Sequence, residues 1–277
     1  MARIRDVTLR DGLQSLPLII PTPAKIEVYR HLVEAGVEEA QVTSFVSPKR
    51  VPQMADAEDL WEAVKPLPGI KDALIANHRG YQRARAVGVG QLEMVLALSA
   101  TCHQNNAGCS QDETWGEITR MANEAKSDGI CLAVVFANTW HCRFEGATPI
   151  EKVLSWAKRV GELGIPELGL ADTTGAAETG EVSRRVRAVR DAFPHLFLRV
   201  HLHEGGSGVD NGRAAVDGGA DGLDAALLGL GGSPFAGELV GNLDLRYLHE
   251  AGLVRLNPDG LRRAEDLLQH HLAVTQG

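Results

Sequence analysis

The sequence predicts a (β/α)8 barrel: one α/β domain spanning 1–277, with a C-terminal helical extension and its working residues at the carboxyl ends of the strands. Three observations lead there. Short apolar runs alternate with longer stretches of helical periodicity, the helical stretches repeatedly end in a glycine-centred turn, and eight such units can be counted along the chain. The strand candidates are Ile4–Leu9, Ala40–Thr43, Ala73–Ala76, Leu92–Leu98, Cys131–Phe136, Glu167–Ala171, Leu196–His201 and Leu223–Leu227. Each is short, as expected of a buried strand in such an array. Between them, Pro23–Glu34, Glu113–Lys126, Ile150–Leu163 and Val182–Ala192 carry helical spacing. Gly36, Gly88, Gly129, Gly164 and Gly219 follow such stretches, where a left-handed residue lets the chain leave a helix. Pro258–Val274 reads as a terminal helix closing one end of the barrel. A doubly wound sheet would carry a glycine fingerprint after its first strand. The nearest match, Gly229-Leu230-Gly231-Gly232-Ser233-Pro234, lacks the third glycine and follows the last strand.

Composition narrows the function. Lys plus Arg total 28 against 36 Asp plus Glu, a net charge of -8, which disfavours a nucleic-acid groove or an anionic membrane surface. No apolar run approaches the ~20 residues that span a bilayer. Arg3, Arg5 and Asp6 interrupt any secretory pattern after Met1, so a cytoplasmic protein is expected. Cys102, Cys109, Cys131 and Cys142 form no C-x-x-C pair and read as four reduced thiols. Thirty glycines against thirteen aromatics point to a core of small aliphatics, with Trp61, Trp115 and Trp156 packing helices onto the barrel.

The polar residues that stand out fall at strand ends. Arg10-Asp11-Gly12-Leu13-Gln14 follows strand one, and Gln41 and Thr43 lie on strand two. Asn77 follows strand three, and Asp172-Thr173-Thr174 ends strand six. His201 and His203, two apart on strand seven, project to the same side and can form half of a divalent-metal site. Asp11 can add a hard anionic ligand and Asn242 a carbonyl oxygen, a mixed set that suits Mg²⁺, Mn²⁺ or Zn²⁺. The competing reading is a pair of hydrogen-bonded strand histidines. Arg10 would offer a fixed cation to a developing oxyanion. Asp172 is either a proton-transfer group or a helix N-cap. Lys49, Arg79 and Arg143 could meet an acidic substrate or simply be solvated.

Taken together, these residues resemble the 3-hydroxy-3-methylglutaryl-CoA lyases, metal-dependent lyase and aldolase barrels with Arg-Asp at strand one and H-x-H at strand seven. Arg10-Asp11-Gly12-Leu13-Gln14 is similar to the family's opening motif. Thr43-Ser44-Phe45-Val46-Ser47-Pro48-Lys49 with Val51-Pro52-Gln53-Met54 is a long further match. Ser99, Asn106, Cys109-Ser110, Cys142, Glu145-Gly146, Pro149, Asp172-Thr173, His201, His203 and Gly241-Asn242 keep the family's order. The resemblance implies retro-Claisen cleavage of a 3-hydroxy acyl thioester. It implies a metal on Asp11, His201, His203 and Asn242, Mg²⁺ or Mn²⁺ ahead of Zn²⁺, and an enolate beside Arg10. Asp172, Gln41, Glu204 and Ser233 are then the other candidate catalytic positions, and Gln14, Thr43 and Asn77 candidate substrate contacts. The expected partner is a small acyl-CoA or hydroxy acid, and a homodimer is left open.

Three positions depart from that family: Ser233 stands for the loop cysteine, Gln41 for a glutamate, and Glu204-Gly205-Gly206-Ser207-Gly208 for Asp-Thr-Tyr-Gly. Two alternatives follow. A related synthase would run the condensation on an acyl-CoA and a 2-oxo acid, although such chains usually continue past the barrel. A non-catalytic metal-binding barrel is the other.

Overall fold

The computed structural model describes residues 2–204, 207–232 and 240–274. Eight parallel strands close into a barrel in which every strand neighbours the next in sequence and the last returns to the first. They are β1 (Arg3–Asp6), β2 (Glu39–Phe45), β3 (Ile70–Ile75), β4 (Gln91–Ala97), β5 (Cys131–Ala137), β6 (Glu167–Ala171), β7 (Phe197–His201) and β8 (Gly222–Ala225). Closure is made by Arg3–Asp6 pairing Gly222–Ala225 in parallel register. The helices are α1 (Thr22–Glu34), α2 (Ala57–Val64), α3 (His78–Ala86), α4 (Ala100–Ala107), α5 (Gln111–Asp128), α6 (Ile150–Glu162), α7 (Thr179–Ala192), α8 (Gly208–Asp217), α9 (Leu245–Glu250) and α10 (Pro258–Val274). The predicted alternation of strand and helix is therefore present. Among the described residues no helix is long and apolar enough to cross a membrane.

Local chemistry sets the boundaries. Ser110 caps α5 in a capping box with Glu113, and Gly129 ends that helix in the left-handed region. Trp115 and Trp156 meet edge to face at 5.5 Å, with Arg159 over both rings. The terminal helix α10 does not cap an end but lies along α1. Asn257 N donates to Ala35 O at 2.7 Å, and a Cβ on Gly260 would come within 2.7 Å of the Ala35 backbone. All four cysteines are free thiols.

Apolar periodicity gave no hint of what fills the lower barrel. Arg5 on β1 and Arg199 on β7 are buried there among Glu39, Asp72, Glu93, Glu167 and Asp224, two guanidiniums facing five carboxylates. Arg5 grips Asp224 through both its Nε and Nη2, at 2.9 and 2.7 Å, and reaches Asp72 and Glu93 with Nη1 at 3.1 and 2.7 Å. Such an excess of buried negative charge favours a proton on one carboxyl. Burial pushes Asp72 up to about 7 despite the Arg5 charge, and Glu93 and Glu39 add to the rise. Between roughly pH 4 and pH 7 the folded chain then holds a proton that the unfolded chain has released. Stability should fall as pH rises through that window. Asp72→Asn keeps an acceptor for Arg5 without titrating, so its stability relative to the parent should improve from pH 5 to pH 8. Urea unfolding at the two pH values checks this; an equal change in both proteins would contradict it.

Candidate metal centre and active site

The first strand was expected to run to Leu9. It stops at Asp6, because the Asp6 carboxylate accepts from Thr8 N at 3.0 Å and from Thr8 Oγ1 at 2.6 Å, diverting the backbone from the ladder. Thr8–Gly12 then winds as a π-helical turn with all five residues buried. Wide turns of this type recur at functional sites. This one carries Arg10 and Asp11.

On the opposite side, β7 delivers His201, and His203 follows two residues later with its ring 4.9 Å from that of His201. An isolated antiparallel bridge between His203 and Asn242 brings the returning segment alongside. Ligand atoms of Asp11, His201 and His203 all lie within 4.8 Å of one another, and all three residues are buried. Asn242 Nδ2 donates to Asp11 Oδ2 at 2.9 Å and to the Leu230 carbonyl at 2.8 Å. Both its hydrogens are thereby used, and the buried Oδ1 has no hydrogen-bond partner within the protein. His203 Nε2 is in the same position, buried and unpartnered.

Those two orphaned atoms are what a cation would satisfy, since unpaired buried polar groups are costly. Each histidine also has its other nitrogen fixed. His201 Nδ1 meets Asp224 Oδ2 at 3.0 Å, and His203 Nδ1 donates to the Asp172 carbonyl at 2.6 Å. Nδ1 anchored and Nε2 turned inward is the usual arrangement of metal-ligating imidazoles. The electrostatics agree. Burial would raise Asp11, but Arg10, His201 and His203 outweigh it and hold the carboxylate well below its usual range. Burial, reinforced by His201, lowers His203 to about 4, so it is neutral at pH 7. Burial acts the same way on His201 but is overcome by the Asp224 hydrogen bond and the Asp11 charge, so His201 shifts upward. A carboxylate, two imidazoles and an amide carbonyl fit a divalent cation.

Arg10 sits against this cluster, buried, with Nη1 on Asp11 Oδ1 and Nε on Gln41 Oε1. Gln41 Nε2 is left buried and unpartnered. A register shift between Gln41 and Thr43 turns β2 beside the site. Asp172, fully buried at the end of β6, accepts from Ala177 N at 3.0 Å and is raised by that burial. It is not a helix N-cap, because Glu178 precedes α7. Glu204 is partly buried and raised by desolvation, with the Asp244 charge adding to it.

Three expected substrate contacts are engaged within the protein. Gln14 Nε2 donates to Asp11 Oδ1 at 3.0 Å and so supports a candidate ligand. The Thr43 hydroxyl donates to Met54 Sδ at 3.8 Å, and Asn77 caps α3 by accepting from Gly80 N at 3.0 Å. Lys49, Arg79 and Arg143 are exposed. Ser233 lies outside the described residues. Asp224 and Arg5 were missed, because they lie 219 residues apart and only the parallel pairing of β1 with β8 brings them together. Gly231 was noted only as part of a loop, yet its φ is +121° and a Cβ there would fall 2.1 Å from Asn242 Nδ2 and 2.8 Å from Asp11 Oδ2. Gly231→Ala should therefore retain the barrel but weaken Mn²⁺ binding by about tenfold or more, since displaced supports cost that much. Titration calorimetry with Mn²⁺ giving parental affinity would refute the close approach.

The model of the HMGL-like family matches residues 2–267. The mitochondrial hydroxymethylglutaryl-CoA lyase of Mus musculus is 35% identical over 251 residues, 89% of this chain and 77% of that protein. The (R)-citramalyl-CoA lyase of Chloroflexus aurantiacus is 34% identical over 252 residues, 87% of this chain and 80% of its own. An HMG-CoA lyase from Acinetobacter baumannii, solved in complex with coenzyme A and 3-methylmalate, superposes with a TM-score of 0.91 at 31% identity, covering 99% of this chain and 92% of the other. The fold, the matched span and these identities place the chain in the HMGL-like family, among relatives that are carbon–carbon lyases.

Proposed function

We propose that this protein is a divalent-metal-dependent lyase that cleaves a 3-hydroxy acyl-CoA ester of the hydroxymethylglutaryl-CoA type by a retro-Claisen reaction. The observation that carries the reading is the buried Asp11–His201–His203 cluster with the Arg10 guanidinium fixed beside it. Asp11, His201, His203 and the Asn242 carbonyl would hold Mg²⁺ or Mn²⁺, with Zn²⁺ the further option, and the bound ion supplies Lewis-acid polarisation of substrate oxygens. Asp172, raised by burial yet braced by Ala177 N, is suited to accept the proton of the 3-hydroxyl. As that O–H bond breaks, the oxygen becomes a carbonyl and the adjacent carbon–carbon bond opens. The released electron pair resides on the thioester enolate. Arg10, held on two sides, offers a preorganised cation to the enolate oxygen. Proton return to the enolate carbon completes the acyl-CoA product, and Glu204 is the second candidate for that transfer.

The acyl group has two supported readings. One is the hydroxymethylglutaryl group named for the mouse relative, and the other the citramalyl group named for the Chloroflexus relative. Gln41 bears on the choice, because it presents a neutral amide beside Arg10. The test incubates the protein with Mg²⁺ or Mn²⁺ and each of hydroxymethylglutaryl-CoA, citramalyl-CoA and the free acids, with products followed by mass spectrometry. Acetyl-CoA with acetoacetate, or acetyl-CoA with pyruvate, identifies the acyl group. Metal binding without cleavage of any ester would overturn the lyase reading in favour of a binding role.

A further inference from the structure

Among the described residues, Asp224 on β8 touches both the ionic core of the barrel and the candidate metal centre. Its Oδ2 accepts from Arg5 Nη2 at 2.7 Å and meets His201 Nδ1 at 3.0 Å, while Oδ1 takes Arg5 Nε at 2.9 Å and has Arg199 Nη1 at 3.7 Å. Arg5 is itself anchored on Asp72 and Glu93, and Asp224 is buried throughout. The two histidines are thus oriented by different means. His203 leans on the main-chain carbonyl of Asp172, which no side-chain substitution removes, whereas His201 leans on a side chain.

We propose that Asp224 is the positioning residue for His201, and that the Arg5 fork clamps it so that the lower barrel's ion network sets the direction of the His201 Nε2 lone pair. The inference rests on the metal-centre reading given above. Its physical basis is the clamp. A carboxylate gripped through both oxygens by a planar guanidinium has little rotational freedom. The imidazole it accepts from is then locked in the Nδ1–H tautomer with a fixed ring plane. Burial excludes water that could otherwise replace the carboxylate as acceptor. The ionic core thereby has a function besides filling the barrel.

The test compares Mn²⁺ affinity, by calorimetry and electron paramagnetic resonance, in the parent protein, Asp224→Asn and Glu167→Gln, each checked for folding by circular dichroism. Glu167→Gln removes a carboxylate from the same network, its Arg199 contact of 2.6 Å, without touching a histidine. Asp224→Asn should weaken Mn²⁺ about 10–100-fold, as loss of such supports does, and Glu167→Gln should stay within about twofold of the parent. Parental affinity in Asp224→Asn, or an equal loss in both variants, would overturn the proposal. Should Asp224→Asn not fold, ¹⁵N-histidine NMR of the Mg²⁺-loaded parent decides. A proton on His201 Nδ1, bonded to a carboxylate, supports the proposal, and a proton on Nε2 sinks it. A parent protein that binds no Mn²⁺ would instead remove the metal-centre reading, and this inference with it.

Discussion

His203→Ala is expected to abolish turnover and to lower divalent-metal affinity by at least two orders of magnitude while leaving the barrel folded. The magnitude follows from the ligand count. Asp11, His201, His203 and the Asn242 carbonyl are the protein groups converging on the site, and losing one leaves an incomplete shell. Loss of a mere supporting partner costs about 10–100-fold, and loss of a ligand should exceed that. Folding should survive because His203 lies beyond the last ladder pair of β7 and its Nε2 makes no hydrogen bond within the protein. The substitution takes one donor from the Asp172 carbonyl, which keeps Gly175 N at 3.3 Å, so the cost should be that of one ordinary hydrogen bond, about 1 kcal/mol. Calorimetric titration with Mn²⁺ and a thermal melt measure the two effects separately. Parental metal affinity in His203→Ala would show that the site is elsewhere.

The sequence carried more of this centre than of its surroundings, for physical reasons. His201 and His203 were legible because a spacing of two on a strand fixes a common side whatever the rest of the chain does. Asp11 was legible because an Arg-Asp pair directly after an apolar run is out of place unless both charges are used. Asn242, far along the chain, was legible only as a carbonyl donor in the loop after the last strand, without its partner. Its place depends on a bridge to His203 that no local periodicity encodes. The end of β1 was misjudged for a similar reason. Val7 and Leu9 continue an apolar run, yet the Asp6 side chain captures the Thr8 amide and turns the backbone. Asn77 looked like a substrate contact by its place after β3, but a helix begins at the next residue and claims its oxygen. The ionic core was least legible. Arg5 and Arg199 lie on strands distant in sequence, and only closure of the barrel brings their carboxylates together from β2, β3, β4, β6 and β8.

Arg10→Lys should reduce kcat by about 10²–10³, the usual cost of removing one preorganised oxyanion donor, with the total charge unchanged. The guanidinium does two things at once in this structure. Its Nε is held by Gln41 Oε1 and its Nη1 by Asp11 Oδ1, so its plane is fixed from β2 and from the turn after β1. An ammonium is a single point donor on a flexible stem, and in reaching Asp11 it would surrender the contact to Gln41. Gln41 would then have both its oxygen and its already unpartnered Nε2 buried without a bond, so the residue that steadies Arg10 would itself be loosened. Metal affinity should change far less than rate, by under about tenfold, because Asp11 keeps Gln14 and Asn242 as donors and support losses fall at the lower end of their range. A large loss in kcat with Mn²⁺ binding nearly retained is therefore the expected pattern, and it differs from that of His203→Ala, where both fall together. Steady-state kinetics on whichever ester the panel identifies, paired with Mn²⁺ titration of the same preparation, reads out both quantities. A variant within threefold of the parent in kcat would take Arg10 out of the chemistry and leave it as a brace for Asp11.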